Sequence, residues 1–167
     1  MKLNVAAGGK KYEGWTNIDA VRREGIDIVA DMVSIPLDDG CADELMCIHG
    51  VEHVYAWEVP AVMSEFYRLL ASGGSLQLEM PDIVKSCKNV ADGIMRGGKD
   101  PDQLGLWGIF GDPRAKDPGM CHRYGWTFKT LSPLVAAAGF KNITEVQTKF
   151  HPCGRVMRDF RLEATKP

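Results

Sequence analysis

The pentapeptide HGVEH, His49 to His53, puts two imidazoles and a carboxylate within five residues. In the order H-x-x-E-H such groups build the zinc site of one class of peptidase: both His ligate the ion and the Glu serves as base. A second set is dispersed but ordered. Gly8-Gly9, Asp19, Asp31 and Pro81-Asp82 each follow a short apolar run, as does His49. Gly8 and Gly9 have no side chains, so the main chain can turn sharply there and approach a ligand. A carboxylate at Asp19 can accept both hydroxyls of a ribose, and one at Asp31 can accept from an exocyclic amine. Together they outline a pocket for an adenosine-like group. A third candidate is His122-Arg123 in "CHRYGWT", where Arg suits a carboxylate or phosphate of a substrate. Each residue also has a plainer reading. Asp after a strand commonly makes a turn or caps a helix, which applies to Asp82 in particular. His122 and Arg123 can equally tie down a loop, and His151 in "FHPCGR" reads as surface structure.

The elements that must position these groups follow from apolar periodicity. "KLNVAA", "TNIDA", "IDIVADM", "ADELMCIH" and "SLQLEM" have the length of buried strands and end at turn formers. "WEVPAVMSEFYRLLA" repeats apolar residues at spacings of three and four, which predicts a helix over 57–71 stopped by Ser72-Gly73-Gly74. A further helix is expected from Asp82 to about Gly98, with Ile83, Val84, Cys87, Val90, Ala91, Ile94 and Met95 at helical spacing. Residues 99–123 are rich in Gly, Pro and Asp and show no clear regular element; a connection of this length is usually functional or disordered. "TLSPLVAAAG" reads as a short helix ending at Gly139. "NITEVQTK" and "RDFRLEAT" read as two closing strands able to pair as a hairpin. The alternation implies a mostly parallel sheet covered on both faces, which binds ligands at the C-terminal ends of its strands.

Composition limits the functional classes. The chain has 167 residues, 45% apolar and 25% charged, with a net charge of −2. That fits one globular domain, and bulk electrostatic binding to nucleic acid or an anionic membrane is not expected. Five scattered cysteines without a C-x-x-C pair read as reduced thiols. No leader-like segment or bilayer-length apolar run is seen, which points to the cytoplasm.

The segments "LNVAAGGKKYEGWTNIDA", "DIVADMVSIPLDDGCADELMCIHGVEHV", "EFYRLLASGGSLQLEMPD" and "HRYGWTFKTLSPLVAAAGF" resemble the class I S-adenosylmethionine-dependent methyltransferases, in particular small bacterial ones associated with surface-polysaccharide genes. The resemblance covers most of the chain, apart from about 83–120. It implies a Rossmann-like, doubly wound α/β fold with a mostly parallel seven-stranded sheet and a C-terminal antiparallel strand. It also implies roles. Ala6, Ala7, Gly8 and Gly9 would form the loop under the methionine part of S-adenosylmethionine. Asp19 would bind the ribose, Ala20 would lie against the adenine, and Asp31 and the Met32 main chain would meet its polar edge. His49 would sit beside the methyl group. The expected reaction is methyl transfer to an oxygen of a small-molecule or sugar acceptor, with His49 or His122 as base. Asp82 and Arg123 would contact the substrate, and an insert over about 83–123 would act as lid.

Two departures from the family pattern stand out. The family loop often reads "LGCGG", and Ala6 here replaces a Gly. Only Lys10 to Trp15 separates the Gly pair from the second strand, too few for a crossover helix. Helices should therefore be shortened on one face, and a homodimer is one way to cover sheet left bare. In this frame "VEHV" is a turn after the fourth strand and no metal is expected. The rival readings are a cofactor-fold scaffold without activity and a zinc hydrolase; a nicotinamide-binding protein is disfavoured because no G-x-G-x-x-G follows the first strand.

Overall fold

The structure, a computed structural model, describes residues 1–93, 103–150 and 158–167. His151 and Cys153 lie outside these residues, and the helix expected to reach Gly98 ends earlier, at Ala91 with Asp92 as its C-cap. Seven strands form one sheet: β1 (Lys2–Val5), β2 (Thr16–Asp19), β3 (Ile28–Val29), β4 (Ala42–Ile48), β5 (Leu70–Pro81), β6 (Lys141–Val146) and β7 (Asp159–Thr165). Their order is β3-β2-β1-β4-β5-β7-β6. The first five run parallel, with Val5 opposite both Ile18 and Cys47. β7 enters antiparallel between β5 and β6. The expected seven-stranded, mostly parallel Rossmann-like sheet with an antiparallel C-terminal strand is therefore what the chain forms.

Helices flank the sheet where the sequence is long enough to supply them. α1 (Val59–Leu69) buries Val59, Val62, Met63, Phe66 and Leu69, the apolar stripe seen in the sequence. Each such side chain contributes roughly 1.5–3 kcal/mol on burial. α4 (Phe128–Ala137) starts two residues before the expected Thr130. The cause is a capping box: Thr127 accepts from the Thr130 amide at 3.2 Å, and Thr130 Oγ1 accepts from the Thr127 amide at 3.0 Å.

No helix joins β1 to β2 or β2 to β3, as the short connections require. Buried polar residues hold the connecting loop instead. Asn4 Nδ2 donates to the Lys10 carbonyl at 3.2 Å and to Asn17 Oδ1 at 2.8 Å. Asn17 Nδ2 in turn donates to the Trp15 carbonyl at 3.1 Å, and Asp27 accepts from the Asn17 amide at 2.7 Å. Asn4 and Asn17 are buried, so the loop covers sheet that a helix would otherwise cover.

The region expected to lack regular structure holds a helix, α3 (Gln103–Phe110), packed on α2 (Ile83–Ala91). Gly105 and Gly108 obscured it in the sequence, because glycine weakens a helix. Both are spacing devices. A Cβ on Gly108 would stand 2.1 Å from Ser86 Oγ, and one on Gly105 2.5 Å from Val90 Cγ2. The same packing alters the buried face of α2: Ser86 and Asn89 are buried, while Val84, counted with its apolar stripe, is 65% exposed. Among the described residues no helix is long and apolar enough to cross a membrane.

Candidate active site

The C-terminal ends of β1 and β4 lie side by side, and each strand is followed by a residue in the left-handed region: Ala6 at φ 56° and His49 at φ 55°. For non-glycine residues that conformation costs roughly 1–2 kcal/mol. Main-chain hydrogen bonds hold both turns. The His49 amide donates to Glu79 O at 2.8 Å, and the Ala7 amide donates to Ile18 O at 3.0 Å. Gly8, also left-handed at φ 57°, donates its amide to Asp19 Oδ2 at 2.8 Å. Ala6, the departure from the family loop, is accommodated by Gly50. A Cβ on Gly50 would lie 2.7 Å from the Ala6 methyl and 2.5 Å from Cys47 Sγ.

A cavity of about 340 Å³ opens over these turns, within the range of small-molecule sites. Ala6, Gly8, Gly9, Asp19, Ala20, Asp31, Met32 and His49 line it. Of the nine residues expected at the cofactor, Ala7 alone stays behind the lining. No atom lies within 4 Å of where a Cβ on Gly8 or Gly9 would sit, so the glycine turn leaves open space over the cavity floor. Asp19 also accepts from the Val21 amide at 2.8 Å; a carboxylate with one bond on each oxygen still has lone pairs for a ligand. The opposite wall comes from the insert, through Asp117, Gly119, Met120 and Arg123. Across the mouth, Arg23 Nη2 stands 3.9 Å from Asp117 Oδ2. A larger apolar cleft lined by Leu106, Trp107 and Phe110 adjoins the cavity at Asp117 and Met120.

The expected bases do not stand free. His49 Nδ1 is 3.0 Å from Glu52 Oε1, and Nε2 is 3.2 Å from Asp159 Oδ2. Burial opposes protonation of this ring, but hydrogen bonds to Asp159 and Glu52 outweigh it and raise the pKa. Burial would raise both carboxyls; the His49 contact instead holds each at about 2, with Arg158 also pairing Asp159. His49 is thus clamped between two carboxylates that favour its protonated form. His122 sits outside the cavity lining, with Nδ1 3.0 Å from Gly108 O, and burial lowers its pKa. His53, in the turn after β4, lines the cavity, with Nδ1 3.2 Å from Cys121 O.

HGVEH is not the helical zinc motif: residues 51–53 form a single 3-10 turn, and His49 is spent on carboxylates. Asp82 is not among the cavity residues. Its Oδ1 caps α2, accepting from the Val84 and Lys85 amides at 2.9 and 3.0 Å. Arg123 does reach the cavity, and its guanidinium lies 4.6 Å from the Tyr55 ring centroid. Glu52 belongs to the HGVEH pentapeptide, whereas Asp159 is outside every motif of the sequence. Asp159 had no local signal, because only the antiparallel register of β7 brings it to the strand ends.

A methyltransferase domain family matches residues 14–78, from the β1–β2 loop into β5. No curated protein sequence matches the chain. Solved structures match over nearly its whole length. A SAM dependent methyltransferase from Archaeoglobus fulgidus shares 16% identity with a TM-score of 0.64, covering 98% of this chain and 85% of that one. A possible histamine N-methyltransferase from Thermotoga maritima gives the same identity and score, covering 99% and 82%. The Burkholderia thailandensis 1,6-didemethyltoxoflavin-N1-methyltransferase, solved with 1,6-didemethyltoxoflavin and S-adenosylhomocysteine, shares 14% identity at a TM-score of 0.60, covering 98% and 69%. At these identities the structures speak for the fold, and the family match lies inside it. Together they show that the chain has the Rossmann-like fold seen in those S-adenosylmethionine-dependent methyltransferases, with a match to a methyltransferase domain family inside it.

Proposed function

We propose that the protein transfers a methyl group from S-adenosylmethionine to a hydroxyl of a small molecule or sugar. The observation that carries this reading is the cavity itself: a left-handed glycine turn, the Asp19 carboxylate and the Asp31 carboxylate stand in that order along three adjoining strand ends. The donor, when bound, supplies a methyl group activated on a sulfonium. Asp19 takes the ribose hydroxyls on lone pairs left over from Gly8 and Val21. Asp31, with Met32, takes the polar edge of the adenine. Ala6 to Gly9 bring main chain under the methionine part, and Gly50 supplies the room that lets Ala6 replace a glycine. That fit removes the motive for an inactive scaffold.

The acceptor enters from the insert side, over the cleft of Leu106, Trp107 and Phe110. Arg123 offers a charge for an anionic group on it. The insert then serves as lid, with Arg23 and Asp117 meeting across the mouth. His49 acts as a positioning residue: it fixes Glu52 and balances buried charge. The face that activates the acceptor hydroxyl is the neighbouring cluster of Glu52, His53 and His122. The pairing of two copies, expected in order to cover bare sheet, has less surface to cover because the 10–15 loop already lies over Asn4 and Asn17.

A calorimetric titration with S-adenosylmethionine tests the reading. Saturable one-to-one binding should weaken at least about tenfold in Asp19→Ala, a loss of roughly 1.4 kcal/mol. No saturation in the parent chain, or equal affinity in Asp19→Ala, would sink it.

A further inference from the structure

Glu52, His53 and His122 converge beside the cavity. Each offers one ligand atom, and these atoms all lie within 4.8 Å of one another. We propose that they bind a divalent transition-metal ion through two imidazole nitrogens and one carboxylate.

The imidazoles are already oriented as metal ligands are. His53 Nδ1 lies 3.2 Å from the Cys121 carbonyl and His122 Nδ1 lies 3.0 Å from the Gly108 carbonyl. Each carbonyl takes an Nδ1–H, which leaves the lone pair on Nε2. A main-chain acceptor on the far nitrogen is the usual partner that fixes the tautomer of a ligating His. The two rings meet edge to face, with centroids 4.9 Å apart.

The carboxylate carries an independent mark. Glu52 is 2% exposed, and its Oε2 is buried with no hydrogen-bond partner among the described residues. A buried carboxylate oxygen is costly unless a cation or a donor meets it. Oε1 is already held by His49 Nδ1 at 3.0 Å. His49, backed by Asp159, therefore orients the ligand and does not itself bind the ion.

The distances are close to those required. His122 Nε2 is 3.9 Å from Glu52 Oε1. Ligand atoms about 2.0–2.1 Å from a tetrahedral ion stand about 3.4 Å apart, so small side-chain rotations close the set. The main chain holds the three residues together: the Arg123 amide donates to Glu52 O at 2.8 Å, and the His122 amide donates to Phe110 O at 3.2 Å. Two imidazoles with one carboxylate suit zinc, iron(II), cobalt or manganese, whereas magnesium and calcium favour all-oxygen sites. Three protein ligands leave coordination positions open, and His53 faces the cavity. An ion here would take the acceptor's oxygen and lower the pKa of its hydroxyl. That role rests on the methyl-transfer reading; the binding of the ion does not.

The test is calorimetric titration of the chelator-stripped full chain with zinc chloride and, separately, with manganese chloride. S-adenosylmethionine is titrated in parallel. One ion per chain is expected with at least one of the metals. His53→Ala and His122→Ala should each weaken binding of that metal on the order of 100-fold, while far-ultraviolet circular dichroism stays that of the parent chain and so reports an intact fold. X-ray absorption of the zinc-loaded parent chain needs no variant and should show two imidazoles with oxygen. Absence of saturable binding for both metals, equal affinity in both variants, or sulfur among the zinc ligands would overturn the site. Metal binding without S-adenosylmethionine binding would support the site and overturn the methyl-transfer reading. The converse result would overturn the site alone.

Discussion

Gly50 should be the least replaceable glycine at the cavity, for a steric reason rather than a conformational one. Its φ of −125° is open to any residue. A methyl there would stand 2.5 Å from Cys47 Sγ and 2.7 Å from the Ala6 methyl, and Cys47 is fully buried. Neither neighbour is the loose end of a long side chain, so Gly50→Ala forces the backbone to shift. Overpacking of this kind costs about 1–3 kcal/mol. The loss of glycine freedom in the unfolded chain returns about 0.4–1 kcal/mol. The net is a destabilisation of about 1–2 kcal/mol, or a melting temperature lower by about 2–8 °C at this chain length. Ala6→Gly relieves a left-handed alanine worth about 1–2 kcal/mol and gives back a similar unfolded-state term, leaving a change within about 1 kcal/mol. The informative variant combines the two. With Ala6→Gly in place, the methyl–methyl overlap is gone and only the Cys47 contact remains, so Gly50→Ala should cost less by about 0.5 kcal/mol or more. Urea denaturation of the parent, both single variants and the double variant measures this coupling. Additive behaviour, or a Gly50→Ala chain as stable as the parent, would refute the idea that Gly50 makes room for Ala6.

Three further outcomes are expected. In the metal-free protein, Glu52 and Asp159, both held at about 2, contribute stability that is complete above their ordinary values and is lost as pH falls toward 2. His49, raised above its ordinary 6.5, contributes fully below that value and loses its contribution as pH rises through the raised one. Urea midpoints should therefore fall on both sides of about pH 5–6 and flatten in His49→Gln; an unchanged profile in that variant would contradict the clamp. Asp159→Ala leaves buried Arg158 without its carboxylate and half-buried His49 with Glu52 alone and should cost about 3–5 kcal/mol in chemical denaturation; a cost below about 1 kcal/mol would count against it. Gly108→Ala pushes α3 off Ser86, and hydrogen exchange in residues 103–110 should speed up while α1 keeps its protection.

The strand-end residues were legible because each apolar run stops at a residue with a physical reason to stop it: Gly8 with its positive φ, and Asp19, which takes the Gly8 amide. The missing crossover helices were legible from length alone. The buried charges were not. Asp159 reaches His49 across 110 residues through strand register, and no local pattern encodes that. Misreading α2 and α3 had one cause: glycines at the contact let small and polar side chains form the buried face, the reverse of the apolar stripe that periodicity seeks. HGVEH was recognisable as chemistry, but its partner was not. His122 joins Glu52 and His53 through main-chain contacts with α3 and the 3-10 turn, beyond the reach of spacing arguments.

The strand order bears on how the protein comes into being. β7 is the last strand in sequence yet lies between β5 and β6 in the sheet. As a chain emerges during synthesis, β1 to β5 can pair early through loops of modest length, while the flank of β5 stays open until residues 159–165 arrive. Asp159 travels on that final strand. The nascent pocket thus has its glycine turn and its Asp19 carboxylate long before His49 acquires its second counter-ion. Closure of the sheet and electrical neutralisation of the pocket floor are one event, late in assembly, and a chain halted before β7 would present an unpaired strand edge next to a half-built site.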